Sequence, residues 1–294
     1  MNHLTSVTTS DGRVLEVSVS GSEDGIPLIC HHGTPGAALA WEPFVAEARQ
    51  RGMRHVEYSR PGYGASDRQE GRAVADCAAD VTAILEALDA PRFYTYGWSG
   101  GGPHALACAA LLGERVIKAA SIASIAPWES EGLEWLVGMG QENLAEFGAA
   151  LAGADALRMF LEGESAGLAQ LSGGAIAAAL GDLVCEADRR VLAGPFADQL
   201  VGLIKAGLAP GIWGWFDDDM AFVRDWGFDP GSIATPVTVW HGTDDRFVPV
   251  SHGEWLARGI PGSSAELHEG EGHLSIALAD YGSILDDLCA VSRS

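Results

Sequence analysis

The chain has 294 residues, 47% of them hydrophobic, enough to bury a sizeable core and unlike a disordered acidic tail. Eighteen Lys and Arg against forty Asp and Glu leave a formal charge of −22, which repels a phosphate backbone or an anionic lipid face. No nucleic acid and no membrane is therefore expected as partner.

The opening Met1-Asn2-His3-Leu4-Thr5-Ser6 has neither a basic nor an apolar leader region, and no later run is apolar for the length of a membrane span. A cytoplasmic location is the expectation. Arg13 to Ser20 alternates as a strand; Pro27 to His31 is a short apolar run ended by His32-Gly33-Thr34-Pro35-Gly36. Arg54 to Ser59 is ended by Arg60-Pro61-Gly62-Tyr63-Gly64. From Arg72 to Asp89, Val74, Cys77, Ala78, Val81, Ile84, Leu85 and Leu88 fall on one helical face. A strand, Phe93 to Tyr96, then runs through Gly97-Trp98-Ser99-Gly100-Gly101-Gly102 into a helix, Pro103 to Leu112, followed by a strand, Ala119 to Ile125. Strand and helix in alternation predict an α/β fold with a mostly parallel sheet covered on both faces.

From Trp128 to about Thr235 the rhythm breaks. This stretch is Ala-, Gly- and Leu-rich, with helical runs at Leu151 to Leu161 and Ala175 to Ala187, and it holds five of the nine tryptophans. An inserted helical cap over residues 128–235, on a core of residues 1–127 and 236–294, is the simplest organisation. The sheet resumes with Pro236 to Trp240 and, after a helix at His252 to Arg258, with Ser263 to His268; a helix over Leu274 to Val291 closes the chain. The cysteines, Cys30, Cys77, Cys108, Cys185 and Cys289, are odd in number and widely spaced, which fits free thiols better than disulfides or a metal site.

Gly97-Trp98-Ser99-Gly100-Gly101 matches G-x-S-x-G at a strand-to-helix turn, where flanking glycines allow the sharp bend that exposes a nucleophilic hydroxyl. A serine needs a base to remove its proton. In the order serine, acid, histidine, the base follows a late strand, and His273 in Glu269-Gly270-Glu271-Gly272-His273 is the best placed of nine histidines; His268 falls within a strand and His252 within a helix. The acid that fixes its tautomer is sought in His241-Gly242-Thr243-Asp244-Asp245, where two aspartates compete and Glu129 is an outside alternative. The amides of Gly100 and Thr34 are the candidate donors to an oxyanion.

Together, His32-Gly33-Thr34-Pro35-Gly36, Arg60-Pro61-Gly62-Tyr63-Gly64-Ala65-Ser66, the Ser99 turn, His241-Gly242-Thr243-Asp244-Asp245 with Val248-Pro249, and Gly272-His273 resemble an α/β-hydrolase of the serine branch. The resemblance covers nearly all of the chain outside the cap. It implies a doubly wound sheet, Ser99 as nucleophile, His273 as base, Asp245 rather than Asp244 as acid, and the Thr34 and Gly100 amides as oxyanion donors. Ser59 departs from the aspartate often found before the Arg-x-Gly-x-Gly loop. Dehalogenases and epoxide hydrolases of this fold need a carboxylate at the turn, which Ser99 excludes.

The expected activity is cofactor-independent hydrolysis of carboxylic esters with an apolar part, through an acyl-enzyme. A C–C bond hydrolase or thioesterase using the same residues is the alternative, and a ligand sensor without turnover is another. Trp98, Trp128, Trp135 and Trp215 are the expected substrate contacts, unless the cap aromatics serve only as its core. No metal and no cofactor is called for by any spacing of ligands or glycines.

Overall fold

Eight strands form one sheet in the computed structural model, which describes residues 3–290. β1 (His3–Thr8) and β2 (Val14–Gly21) pair antiparallel, with Val7 opposite Leu15. β1 was not among the sequence-based elements: Val7 is buried but Thr5, Ser6 and Thr8 are exposed, so no apolar alternation marks it. Next come β3 (Ile26–His31), α1 (Glu42–Gln50) and β4 (Met53–Tyr58). α1 is also new, and its buried side chains, Val45 and Ala48, make too thin a stripe to show as a period.

The chain continues through α2 (Cys77–Ala87), β5 (Phe93–Trp98), α3 (Gly102–Leu111) and β6 (Val116–Ile122). β6 stops at Ile122, short of Ile125, because Ala123 takes a left-handed φ of 48° that a strand cannot continue. Six helices follow: α4 (Gln141–Ala152), α5 (Ala154–Leu168), α6 (Gly173–Ala179), α7 (Glu186–Leu192), α8 (Phe196–Leu208) and α9 (Trp213–Phe222). The helix expected over Ala175–Ala187 is thus two, parted near Gly181 at φ 52°. β7 (Val237–Gly242), α10 (Val250–Gly259), β8 (Ser264–His268), α11 (Ser275–Ala279) and α12 (Tyr281–Cys289) complete the chain. The closing helix, expected as one, breaks at Asp280, whose carboxylate lies 2.8 Å from His268 Nδ1; Val291 lies outside the described residues.

The strand order is β1-β2-β4-β3-β5-β6-β7-β8, antiparallel at β1-β2 and β2-β4 and parallel thereafter. From β3 the chain winds outward to β4, then returns to lay β5 on the other side of β3. That reversal opens a crevice at the carboxyl ends of β3 and β5, where doubly wound sheets bind ligands. Register completes the arrangement: His31 pairs with Gly97, Trp98 with Ile122, Ile122 with Trp240 and Gly242 with His268. The loops after β3, β5, β7 and β8 therefore leave the sheet along one edge.

Each face of the sheet buries its own core. Val81, Ile84 and Leu85 of α2 and Leu106 of α3 pack on one face, while Ala48 of α1 and Ile284, Leu285 and Leu288 of α12 pack on the other. The inserted helices have further clusters of their own, one around Ile176, Leu200 and Ile204 and one around Leu157, Leu161 and Trp215. All five cysteines are free, and four are buried. Among the described residues no single helix is long and apolar enough to cross a membrane.

Candidate active site

Ser99 begins the turn between β5 and α3 at φ 56°, a left-handed backbone that costs a non-glycine residue about 1–3 kcal/mol and persists only where the surroundings enforce it. Those surroundings are the glycines at either side. A Cβ at Gly97 would strike the Gly101 carbonyl, and one at Gly101 would strike the carbonyl of His31 in β3. Gly33 sets the neighbouring loop beside the serine, since a Cβ there would lie in van der Waals contact, 3.5 Å from Ser99 Cβ. Thr34, Ser99 and Gly100 consequently line one cavity under the inserted helices.

Asp245 leaves β7 and is buried, and its Oδ1 accepts from the amides of Phe247 at 2.9 Å and Val248 at 2.8 Å. Its Oδ2 lies 2.8 Å from Nδ1 of His273, which places the proton on that nitrogen and leaves Nε2 as a base. Burial by itself would raise the Asp245 pKa, but His273 and His241 outweigh it and hold the carboxyl at about 2. Asp244, the competing residue, is exposed. His273 is 2% exposed; Phe247, which also lines the Ser99 cavity, stacks on its ring at 4.5 Å. His241 and His252 hold the backbone instead, His241 Nε2 lying 2.8 Å from the Val248 carbonyl and His252 Nε2 2.8 Å from that of Trp135.

Two carboxylates outside the expected site support these loops. Asp188 of α7, fully buried, accepts from the amides of His273, Leu274 and Ser275 at 3.3, 2.8 and 2.9 Å, so an inserted helix holds the backbone of the histidine loop. Asp218 of α9 receives Arg60, Arg72, Tyr63 and Thr34, at 2.6, 2.7, 2.8 and 2.8 Å, all under the loop after β3. Arg60 also donates to the carbonyls of His32 and Gly33, which fixes the path of the chain into Thr34. Burial would raise the Asp218 pKa, yet Arg60 and Arg72 keep it well below the usual carboxylate range. The only sequence signal for Asp218 is the run Asp217-Asp218-Asp219, and Asp188 has none. Ser59, at the position where the resemblance has an aspartate, donates to Glu16 at 2.6 Å and accepts from the Ala38 amide at 2.9 Å.

The four tryptophans expected to touch substrate separate. Trp215 lines the Ser99 cavity with Phe147, Phe160 and Phe222. Trp98 lies behind the histidine, donating to its carbonyl at 3.0 Å, and faces a second cavity bounded by Trp41, Phe44 and Tyr281. Trp135 bonds the Ala126 carbonyl at 2.7 Å and packs against Trp128, Phe147 and His252; neither Trp128 nor Trp135 lines the Ser99 cavity. The lining is also less apolar than the aromatic count suggests, because Glu142, Glu146, Glu164 and Asp219 share it. Among the described residues no three His, Cys, Asp or Glu side chains are grouped to hold a metal ion.

A model of the alpha/beta hydrolase fold matches residues 26–280. The chain belongs to the alpha/beta hydrolase family. Among its relatives in this family, a non-heme chloroperoxidase of Streptomyces lividans is 31% identical over 257 residues, 83% of each chain. Solved structures share the fold over nearly the whole chain. A hydrolase from Pseudomonas aeruginosa PA01 has a TM-score of 0.72 at 20% identity over 98% of both chains, and an esterase from Exiguobacterium antarcticum a TM-score of 0.71 at 21% identity over 99% of this chain and 100% of that one.

Proposed function

We propose that the protein is a serine hydrolase of carboxylic esters, with Ser99 as nucleophile, His273 as general base, Asp245 as the acid that orients it, and the Thr34 and Gly100 amides as oxyanion donors. The observation that carries this reading is the buried Asp245–His273 pair at 2.8 Å, on the same sheet edge as a serine held at φ 56°. Nε2 of His273 takes the Ser99 proton as Oγ attacks the ester carbonyl, and the two amides stabilise the oxyanion. Collapse of the tetrahedral species expels the alcohol, which leaves with the proton from His273. Water then loses a proton to the same nitrogen, attacks the acyl-enzyme and releases the acid, returning the proton to Ser99.

Steady-state hydrolysis of a series of 4-nitrophenyl esters by the wild type and Ser99→Ala tests this. The variant is expected to fold and to lose at least three orders of magnitude in kcat, about the scale of a missing member of such a triad. Residual turnover above a few per cent overturns the assignment.

The similarity to a chloroperoxidase supports a second reading built on the same acyl-enzyme. If hydrogen peroxide replaces water in the second step, the product is a peracid, which oxidises halide. Halide oxidation that needs carboxylic acid and peroxide together, and disappears in Ser99→Ala, is the result this reading expects.

A further inference from the structure

Three inserted helices each turn one face toward the Ser99 cavity. α9 presents Trp215, Asp219 and Phe222, α4 presents Glu142, Glu146 and the adjoining Phe147, and α5 presents Phe160 and Glu164, successive turns contributing residues three or four apart. Asp219 is 0% exposed and lines this cavity, yet no N–H or hydroxyl of the protein donates to either of its carboxylate oxygens; its one polar neighbour is the carboxyl of Glu146. Native interiors rarely leave a buried carboxylate so placed. Its neighbours Asp217 and Asp218 are by contrast paired, with Arg68 at 2.7 Å and with Arg60 and Arg72. Glu146 lies directly beside Asp219, carboxyl against carboxyl, with one oxygen taken by the Trp215 indole at 2.7 Å. No Lys or Arg belongs to the lining, and Glu142 and Glu164 add exposed carboxylates to it.

From this arrangement we propose that the cap wall of the cavity binds a protonated amine on the substrate, its N–H groups donating to Asp219 and Glu146 and its alkyl stem lying against Trp215 and Phe160. Aromatic faces beside carboxylates attract a cation and shelter its methylenes in the same contact. An amine that carries protons can donate to both carboxylates in place of the proton the pair would otherwise share, which favours it over a quaternary one. Burial and the neighbouring Glu146 push the Asp219 pKa well above the carboxylate range, and burial raises Glu146 to about 7. An ammonium between them restores both charges. The net charge of −22 adds long-range attraction for such a ligand. This deepens the ester-hydrolase reading, on which its kinetic arm rests; its binding arm is independent of turnover.

The test is equilibrium binding of 6-aminohexan-1-ol and heptan-1-ol, in which a methyl replaces the ammonium, by calorimetry at pH 7.5. The wild type is expected to bind the amino alcohol at least tenfold more tightly. Asp219→Asn and Glu146→Gln, which keep the shape of each side chain, should shrink the ratio to about threefold or less; two variants guard against one failing to fold. Parallel kinetics compare ethyl 6-aminohexanoate with ethyl heptanoate, and kcat/KM should favour the amino ester by the same order. Discrimination in binding without hydrolysis of either ester overturns the hydrolase reading and upholds the amine site. A wild-type binding ratio near one, or a ratio that survives in both variants, overturns the amine site.

Discussion

Asp244 and Asp245 are adjacent and identical in chemistry, yet one is exposed and the other lies 2.8 Å from His273 Nδ1 with two backbone amides on its second oxygen. Asp245→Asn is therefore expected to lower kcat by about three to four orders of magnitude by unsettling the histidine tautomer, while Asp244→Asn keeps most of the rate. Equal losses in the two variants would contradict the assignment. The turn that carries Ser99 and the loop that carries His273 were legible because local sequence encodes them: glycines around a serine at a strand end, and a Gly-flanked histidine after a late strand. Asp188, Asp218 and Asp219 were not, because each gains its meaning from partners far away in sequence. Nothing local distinguishes a carboxylate that caps the histidine loop from one that faces solvent.

At the scale of elements, the parallel strands and the helices behind them followed from periodicity, since burial on both sides selects continuous apolar runs. β1 and α1 escaped for the opposite reason, each burying too few side chains to leave a pattern. The aromatic residues of the inserted segment could be counted but not sorted, and the structure makes Trp215 and Trp135 different predictions. Trp135→Ala removes a side chain packed on Phe147 and His252 and is expected to cost about 3–5 kcal/mol of stability while leaving the ratio of kcat/KM between long and short esters unchanged. Trp215→Ala is expected to change that ratio by tenfold or more, because the ring lines the cavity at Ser99. Measuring melting temperature and the ratio on both variants checks this; a shifted ratio in Trp135→Ala would contradict it. Asp188→Ala tests the link between α7 and the histidine loop. Three amides would lose their acceptor, at about 1–3 kcal/mol each, so kcat should fall at least tenfold with little change in KM. A purely structural role would lower the melting temperature and leave kcat alone.

For the molecule as a whole, stability depends on carboxylates that the fold removes from water. Glu57 of β4 has an unpartnered oxygen, and burial raises its pKa to about 8. Since an unfolded glutamate titrates near 4.3, the native state binds the extra proton between these values, and stability falls as pH rises from about 4.5 to 8. Glu57→Gln removes that slope, so its melting temperature relative to wild type should climb from pH 5 to pH 8; a difference that is constant with pH would contradict the cause given. The wider claim is that a sheet edge shared by the loops after β3, β5, β7 and β8 assembles an activated serine. The most direct measurement is mass-spectrometric mapping of the adduct formed with a fluorophosphonate on wild type, Ser99→Ala and His273→Ala. A single adduct on Ser99, absent in the first variant and formed at least a hundredfold more slowly in the second, is the predicted result. Labelling elsewhere, or at an unchanged rate without His273, would contradict it.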